Sequence, residues 1–174
     1  MYGTEAAADT YHTARGNTAW GAATSADKVA ALVRASDYID GRYMRKLSTG
    51  AYTSMFPGVP TGGRAQDAEW PRTGASDGYG KAIDKDTVPV EVENATYAAA
   101  LRELTNPSSL SPDYTPSALV SEEAVGPLKV KYAIPAQSGV LGAPNRPQLP
   151  EVDEILAPIL MGGSTSLGVA FTVV

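Results

Sequence analysis

The 174-residue chain reads as a mainly α protein. The expected architecture is a small helical bundle of three main helices, a long irregular loop insertion, and an extended C-terminal arm with a short strand and a short helix. Three observations predict it. Apolar residues recur at helical spacing over residues 25–46 and again over 86–106. Glycine and proline crowd the stretch 47–86, and nine of the 13 prolines lie in the last 68 residues. The predicted division is a helical domain over 1–106, with the insertion at 47–86, followed by a proline-rich arm over 107–174.

Residues 4–15 predict a short first helix, capped by Thr4, favoured in its first turn by Glu5 and stopped by Gly16. Its inward face is Ala7, Ala8, Tyr11 and Ala14, a thin stripe that needs a partner. Residues 17–24 are a connector in which Trp20 fills the gap between the first two helices. Over 25–46, Val29, Leu32, Val33, Ser36, Ile39 and Tyr43 share one helical face. Ser25 is the expected N-cap. Asp27 at one end and Arg42, Arg45 and Lys46 at the other complement the helix dipole. Arg34 lies one turn from Asp37, an expected local ion pair.

The insertion reads as structureless apart from one helical turn at 66–70. Loops of this length are often used for binding. The third main helix follows over 86–106, with Pro89 at its first position, Glu91 and Glu93 in its first turn, and a stripe of Val90, Tyr97, Leu101 and Leu104 widened by Val92, Ala95 and Ala99. Residues 126–133 alternate Leu128, Val130 and Tyr132 with Lys129 and Lys131, a half-buried strand. Residues 138–150 form a linker holding Arg146. Residues 150–161 predict a short helix with Ile155, Leu156, Ile159 and Leu160 apolar, disturbed by Pro158.

Composition bounds the function. The chain has no cysteine, so it has no disulfides or thiolate metal sites; with no apolar run long enough to span a membrane and no secretion-type N-terminus, it predicts an intracellular product. Leu, Ile, Val and Phe make up only 33 residues against 27 Ala, so the core is thin and leans on neighbouring subunits. A net charge of −5 opposes attraction to phosphate backbones, apart from the local patch at Arg42, Arg45 and Lys46.

Chemistry is sparse. His12, the one histidine, lies three residues from Asp9, a predicted surface pair. Gly74, Gly78 and Gly80 lack the strand-before, helix-after context of a phosphate loop. Asp77, Asp84 and Asp86 lack the spacing of a calcium loop, and Glu122–Glu123 reads as a solvated acidic run. No catalytic residue, metal site or cofactor is expected, and the chain is not read as an enzyme.

Four segments together carry a resemblance: DTYHTARGNTAW at 9–20, ALVRASDYIDGRY at 31–43, GRAQDAEWPRT at 63–73 and VPVEVENATYAAALREL at 88–104. They resemble a tailed-phage family often labelled DnaT-like single-stranded-DNA-binding protein, typically encoded among head-morphogenesis genes. The helical core is also similar to head–tail connector, or adaptor, proteins that form a ring beneath the portal. The resemblance covers residues 2–105 and, more weakly, GPLKVKY and LAPIL further on.

The connector resemblance implies a non-enzymatic virion protein of the phage neck, made in the host cytoplasm. It would form a homo-oligomeric ring, twelve-fold like the portal, between portal and a tail-side connector or tail-terminator protein. DNA would pass through the channel without specific binding, and no membrane is involved. The arm would dock on the portal through Leu128, Lys129, Val130, Lys131, Tyr132, Arg146, Ile155, Leu156, Ile159 and Leu160. Arg72, with its guanidinium free beside Pro71, and Glu91, Glu93 and Glu103 would meet adjacent subunits. The alternative label implies a single-strand binder with phosphate contacts at Arg42, Arg45, Lys46 and Arg64. Such a binder needs a basic groove interleaved with exposed aromatics, whereas Trp20 and Trp70 sit in contexts that favour packing.

Overall fold

The amphipathic pattern does fold into helices, and the computed structural model describes them within residues 1–112, 122–125, 128–131 and 147–161. Helix α1 (Glu5–Ala14) is capped by Thr4, whose hydroxyl accepts from the Ala7 N–H. Ala8, Tyr11 and His12 face inward, while Ala7 and Ala14 are exposed. The connector holds a short helix, α2 (Thr18–Ala22), which buries Trp20.

Helix α3 (Ser25–Arg42) is the longest element. Its cap is Thr24, one residue earlier than expected, because Thr24 has the extended backbone that lets its hydroxyl accept from the Asp27 N–H. Ser25 instead donates to the Glu5 carboxylate at 2.6 Å, tying α3 to α1. The helix stops at Arg42 because the next residues enter a hairpin. Strand β1 (Met44–Lys46) pairs with β2 (Tyr52–Ser54), closed by a turn in which Gly50 adopts φ 86°.

The buried face of α3 is rotated from the expected one. Ala31, Leu32, Ala35, Tyr38 and Ile39 are fully buried, whereas Val29 and Val33 are 38% and 43% exposed. Helix α4 (Val90–Thr105), capped at Pro89, buries Val92, Ala95, Tyr97 and Ala99 of the expected stripe together with Ala100, while Val90 is exposed. The two helices pack on each other through alanine-rich faces. Small side chains permit close helix approach, so alanine rather than valine occupies the interface.

The insertion has more order than its composition predicts. Strand β3 (Val59–Pro60) pairs with β4 (Arg72–Thr73), Gly63–Ala65 forms a 3-10 turn, and residues 66–70 are not helical. The Trp70–Pro71 peptide is cis. Further on, β5 (Glu122–Val125) pairs antiparallel with β6 (Leu128–Lys131), in register Glu122↔Lys131 and Ala124↔Lys129. The predicted strand is therefore present over part of its span, and the acidic run supplies its partner strand.

Helix α5 (Pro150–Leu156) continues into a 3-10 turn at Ala157–Ile159 and packs on α4. Val152, Leu156 and Ile159 are buried in the common core, with Ile155 and Leu160 partly buried against it. Two tyrosines of the α3 end hold this segment: Tyr38 donates to the Pro147 carbonyl at 2.9 Å and Tyr43 to Asp153 at 2.6 Å. The arm reading is corrected here, since residues 147–161 complete the helical domain and Leu156 and Ile159 are unavailable to a portal. The chain is mainly α, with its core between α1, α3, α4 and α5.

Candidate nucleic-acid interface

The cations expected to touch DNA separate once the chain folds. Arg42 points back at Asp153, 3.7 Å away, with its side chain only 19% exposed. Arg45 and Lys46 leave the helix and stand exposed on β1, and Arg64 is exposed in the 3-10 turn. Among the described residues, none of these last three forms an ion pair. Residues 41–66 contain four cations and no Asp or Glu, in a chain whose net charge is −5. The hairpin lies inside this acid-free stretch, so its own strands carry cations and no carboxylate.

The hairpin also supplies an exposed ring. Tyr52 is 45% exposed and is the cross-strand partner of Lys46, whose ammonium lies 6.0 Å from the ring centre. Side chains alternate along a strand, so Lys46 and Tyr52 share one face and Arg45 takes the other. Leu47, 40% exposed, begins the connecting turn. A cation beside an exposed aromatic on a narrow ribbon, with a second cation on the opposite face, is a minimal arrangement for stacking a base while holding its phosphates. Sequence reading found Arg45 and Lys46 and missed Tyr52. The detectable signal was the acid-free span rather than any motif.

The two tryptophans do what their contexts suggested. Trp20 is 1% exposed and donates to Asp9 at 2.7 Å; Trp70 is 2% exposed. Asp9 also accepts from Lys28 at 2.8 Å, and these two hydrogen bonds hold its carboxyl below the usual range. The expected Asp9–His12 surface pair is therefore corrected. His12 is buried, its ring 4.4 Å from that of Trp20, and it accepts from the Asn17 amide at Nδ1. Burial pushes its pKa down to about 4, so it is neutral.

Three other charged residues are structural. Arg72, expected to be free for a neighbour, is 2% exposed. It donates to the carbonyls of Pro57 at 2.8 Å and Gly58 at 2.7 Å, and pairs with Glu69. Glu103, also expected at a subunit contact, is 1% exposed. It accepts from Arg34 at 2.7 Å and from the backbone N–H groups of Ser108 and Leu110, closing the turn after α4. Arg34 thus pairs across to α4 and not with Asp37. Glu91 and Glu93 are half-buried on the first turn of α4. Asp40 accepts from the Tyr2 hydroxyl and the Glu69 N–H, and burial raises its pKa to about 6.

Of the residues assigned to the arm, Leu128, Lys129, Val130 and Lys131 form β6, while Tyr132 and Arg146 lie outside the described residues. Among the described residues no group of three or more His, Asp or Glu could hold a metal ion, and no helix is long and apolar enough to cross a membrane. No curated protein and no solved structure matches the chain. A family model described as "Putative DnaT-like ssDNA binding protein" matches residues 1–173, and the chain belongs to that family.

Proposed function

We propose that the protein binds single-stranded DNA, with the β1–β2 hairpin as its contact surface. The observation that carries this reading is the pairing of Lys46 with the exposed Tyr52 ring inside a span free of carboxylates. Membership of the DnaT-like family supports it. Arg45 and Lys46 would hold phosphates, Tyr52 would stack on a base, and Arg64 would extend the basic surface. Arg42, paired with Asp153, is left out of the contact set. The test is titration of a labelled oligonucleotide at low salt with the full chain and with Arg45→Ala/Lys46→Ala. Two phosphate contacts on a single strand correspond to a salt slope of about −1.4, which the double variant would lose. Absence of binding at low salt overturns the reading.

A second reading is favoured by a different surface. Val29 and Val33 face outward one turn apart on α3, and Val90 and Met161 are also exposed. A second copy of the chain would cover such residues, which suits a ring subunit. Here the protein is a head–tail connector of a tailed-phage virion, forming a homo-oligomeric ring in the neck between portal and tail. Under this reading Lys129, Lys131, Tyr132 and Arg146 would dock on the portal, and Glu91 and Glu93 would meet a neighbour. Its support is the resemblance of the helical core to adaptor proteins. Light scattering separates the readings: a stoichiometric assembly with portal favours the connector, and a chain that ignores portal counts against it.

A further inference from the structure

Among the described residues, the tyrosine most exposed to solvent is not on the hairpin. Tyr79 is 91% exposed, at the tip of a turn built with unusual care. Asp77 accepts at Oδ1 from the N–H groups of both Tyr79, at 3.0 Å, and Lys81, at 2.8 Å. Its own N–H donates to the Lys81 carbonyl, Gly80 donates back to Asp77, and Ser76 and Ala82 bridge the base. Gly80 takes φ 80°, where other residues are strained. Gly78 donates to the Pro158 carbonyl at 2.7 Å, so closely that a Cβ there would stand 3.2 Å from that oxygen. A floppy loop would expose a ring by default. This one is fixed to the 3-10 turn after α5 and still leaves its ring in water.

We infer that Tyr79 is a second base-stacking platform for the same single strand; this rests on the single-strand reading of the hairpin. Continuity of backbone bonds places the two close enough. Gly78 is bonded to Pro158, and three residues later Met161 donates to the Met55 carbonyl, while Met55 donates to Tyr43 at the foot of the hairpin. With 3.8 Å per residue and about 5 Å across each hydrogen-bonded pair, the turn lies within roughly 26 Å of that foot. Single-strand sites of this kind cover about 4–16 nucleotides, enough to reach both.

The turn contributes stacking and not charge. Asp77 is committed to its two backbone donors, Asp84 accepts from the Asp86 N–H, and Asp86 pairs with Lys85 at 2.8 Å. Lys81 is exposed and forms no ion pair among the described residues. A ring held on a rigid frame loses little freedom when a base docks on it, which is the benefit of preorganisation. That distinguishes Tyr79 from Arg45 and Lys46, whose effect must vary with salt.

The test uses the full chain, Tyr79→Ala and Tyr79→Phe, each titrated over a salt series with labelled oligo-dT and with the same oligonucleotide carrying abasic positions. Tyr79→Ala is expected to weaken oligo-dT binding about 5- to 150-fold, with an unchanged salt slope and unchanged affinity for the abasic strand. Tyr79→Phe keeps the wild-type affinity, and thermal unfolding of both variants stays at the wild-type value because the ring packs on nothing. Wild-type affinity in Tyr79→Ala, beside weakened Arg45→Ala/Lys46→Ala, overturns the inference while leaving the hairpin reading intact. A reduced salt slope in Tyr79→Ala overturns it as well. No binding by the wild type removes both readings together.

Discussion

Arg72 and Arg45 come from the same tract of the chain, yet folding gives them opposite roles. Around Arg72 the backbone bends so that the carbonyls of Phe56, Pro57, Gly58 and Glu69 converge on one guanidinium, and the Glu69 carboxylate neutralises it. Around Arg45 the backbone is a two-stranded ribbon whose carbonyls are paired or face water, and no acid lies within the span 41–66. An arginine surrounded by unpaired carbonyls becomes an internal tie, because five N–H donors in a fixed fork suit several acceptors at once. One on an exposed strand keeps its charge for an outside partner. The difference lies in where orphan acceptors end up, which residue type alone does not reveal.

The comparison breaks most sharply at Arg72. Arg72→Ala leaves the Glu69 carboxylate and several carbonyls without their donor, and should cost about 3–5 kcal/mol in urea or thermal unfolding. Arg45→Ala at the hairpin should leave stability within about 0.5 kcal/mol. Gly58 sharpens the same contrast. Its φ is 70° and an added Cβ would collide with the Thr73 carbonyl, so Gly58→Ala should cost about 2–4 kcal/mol. Gly50→Ala, with φ 86° but open space around it, should cost only about 1 kcal/mol.

Acid treatment probes two further groups that oppose each other. His12 has a folded pKa of about 4, below its unfolded 6.5, so lowering the pH from 6.5 to 4 protonates the unfolded chain first and removes stability. Asp40 has a folded pKa of about 6, above 3.8, so protonation between pH 6 and 4 favours the native state. Each contributes about 2–3 kcal/mol. The wild type should therefore be nearly flat over that window, and Asp40→Asn should lose stability steadily on acidification. A flat profile in Asp40→Asn would count against a buried neutral His12. The smallest effect belongs to Tyr52→Phe, which keeps the ring and should alter neither stability nor oligonucleotide affinity measurably.

Much of the helical framework was legible because helical periodicity is a local property. Thr4, Glu5 and Gly16 delimit α1 as read, and Leu32 and Ile39 are core residues as read. Part of the α3 face was misread because hydrophobicity ranks valine above alanine, but a tight interface selects for size. Val29 and Val33 went outward while Ala31 and Ala35 went in; on α4 Val90 faces out, while Val92, Ala95 and Ala99 are buried as read. The pairing of Arg34 with Glu103 spans 69 positions, and no local rule points to it. Half of the candidate site was visible as the cations Arg45 and Lys46. Tyr52 and Tyr79 were not, since exposure is decided by strand register and by the bracing of a turn.

The docking of residues 147–161 on α4, with Leu156 and Ile159 completely enclosed, has a consequence for biogenesis. The ribosome delivers α1, α3 and α4 first, with one flank of α4 still bare. The segment that shields that flank emerges later, after residue 146. Folding of the described core thus waits on α5, and a chain cut before residue 147 would leave the apolar flank of α4 exposed to aggregation.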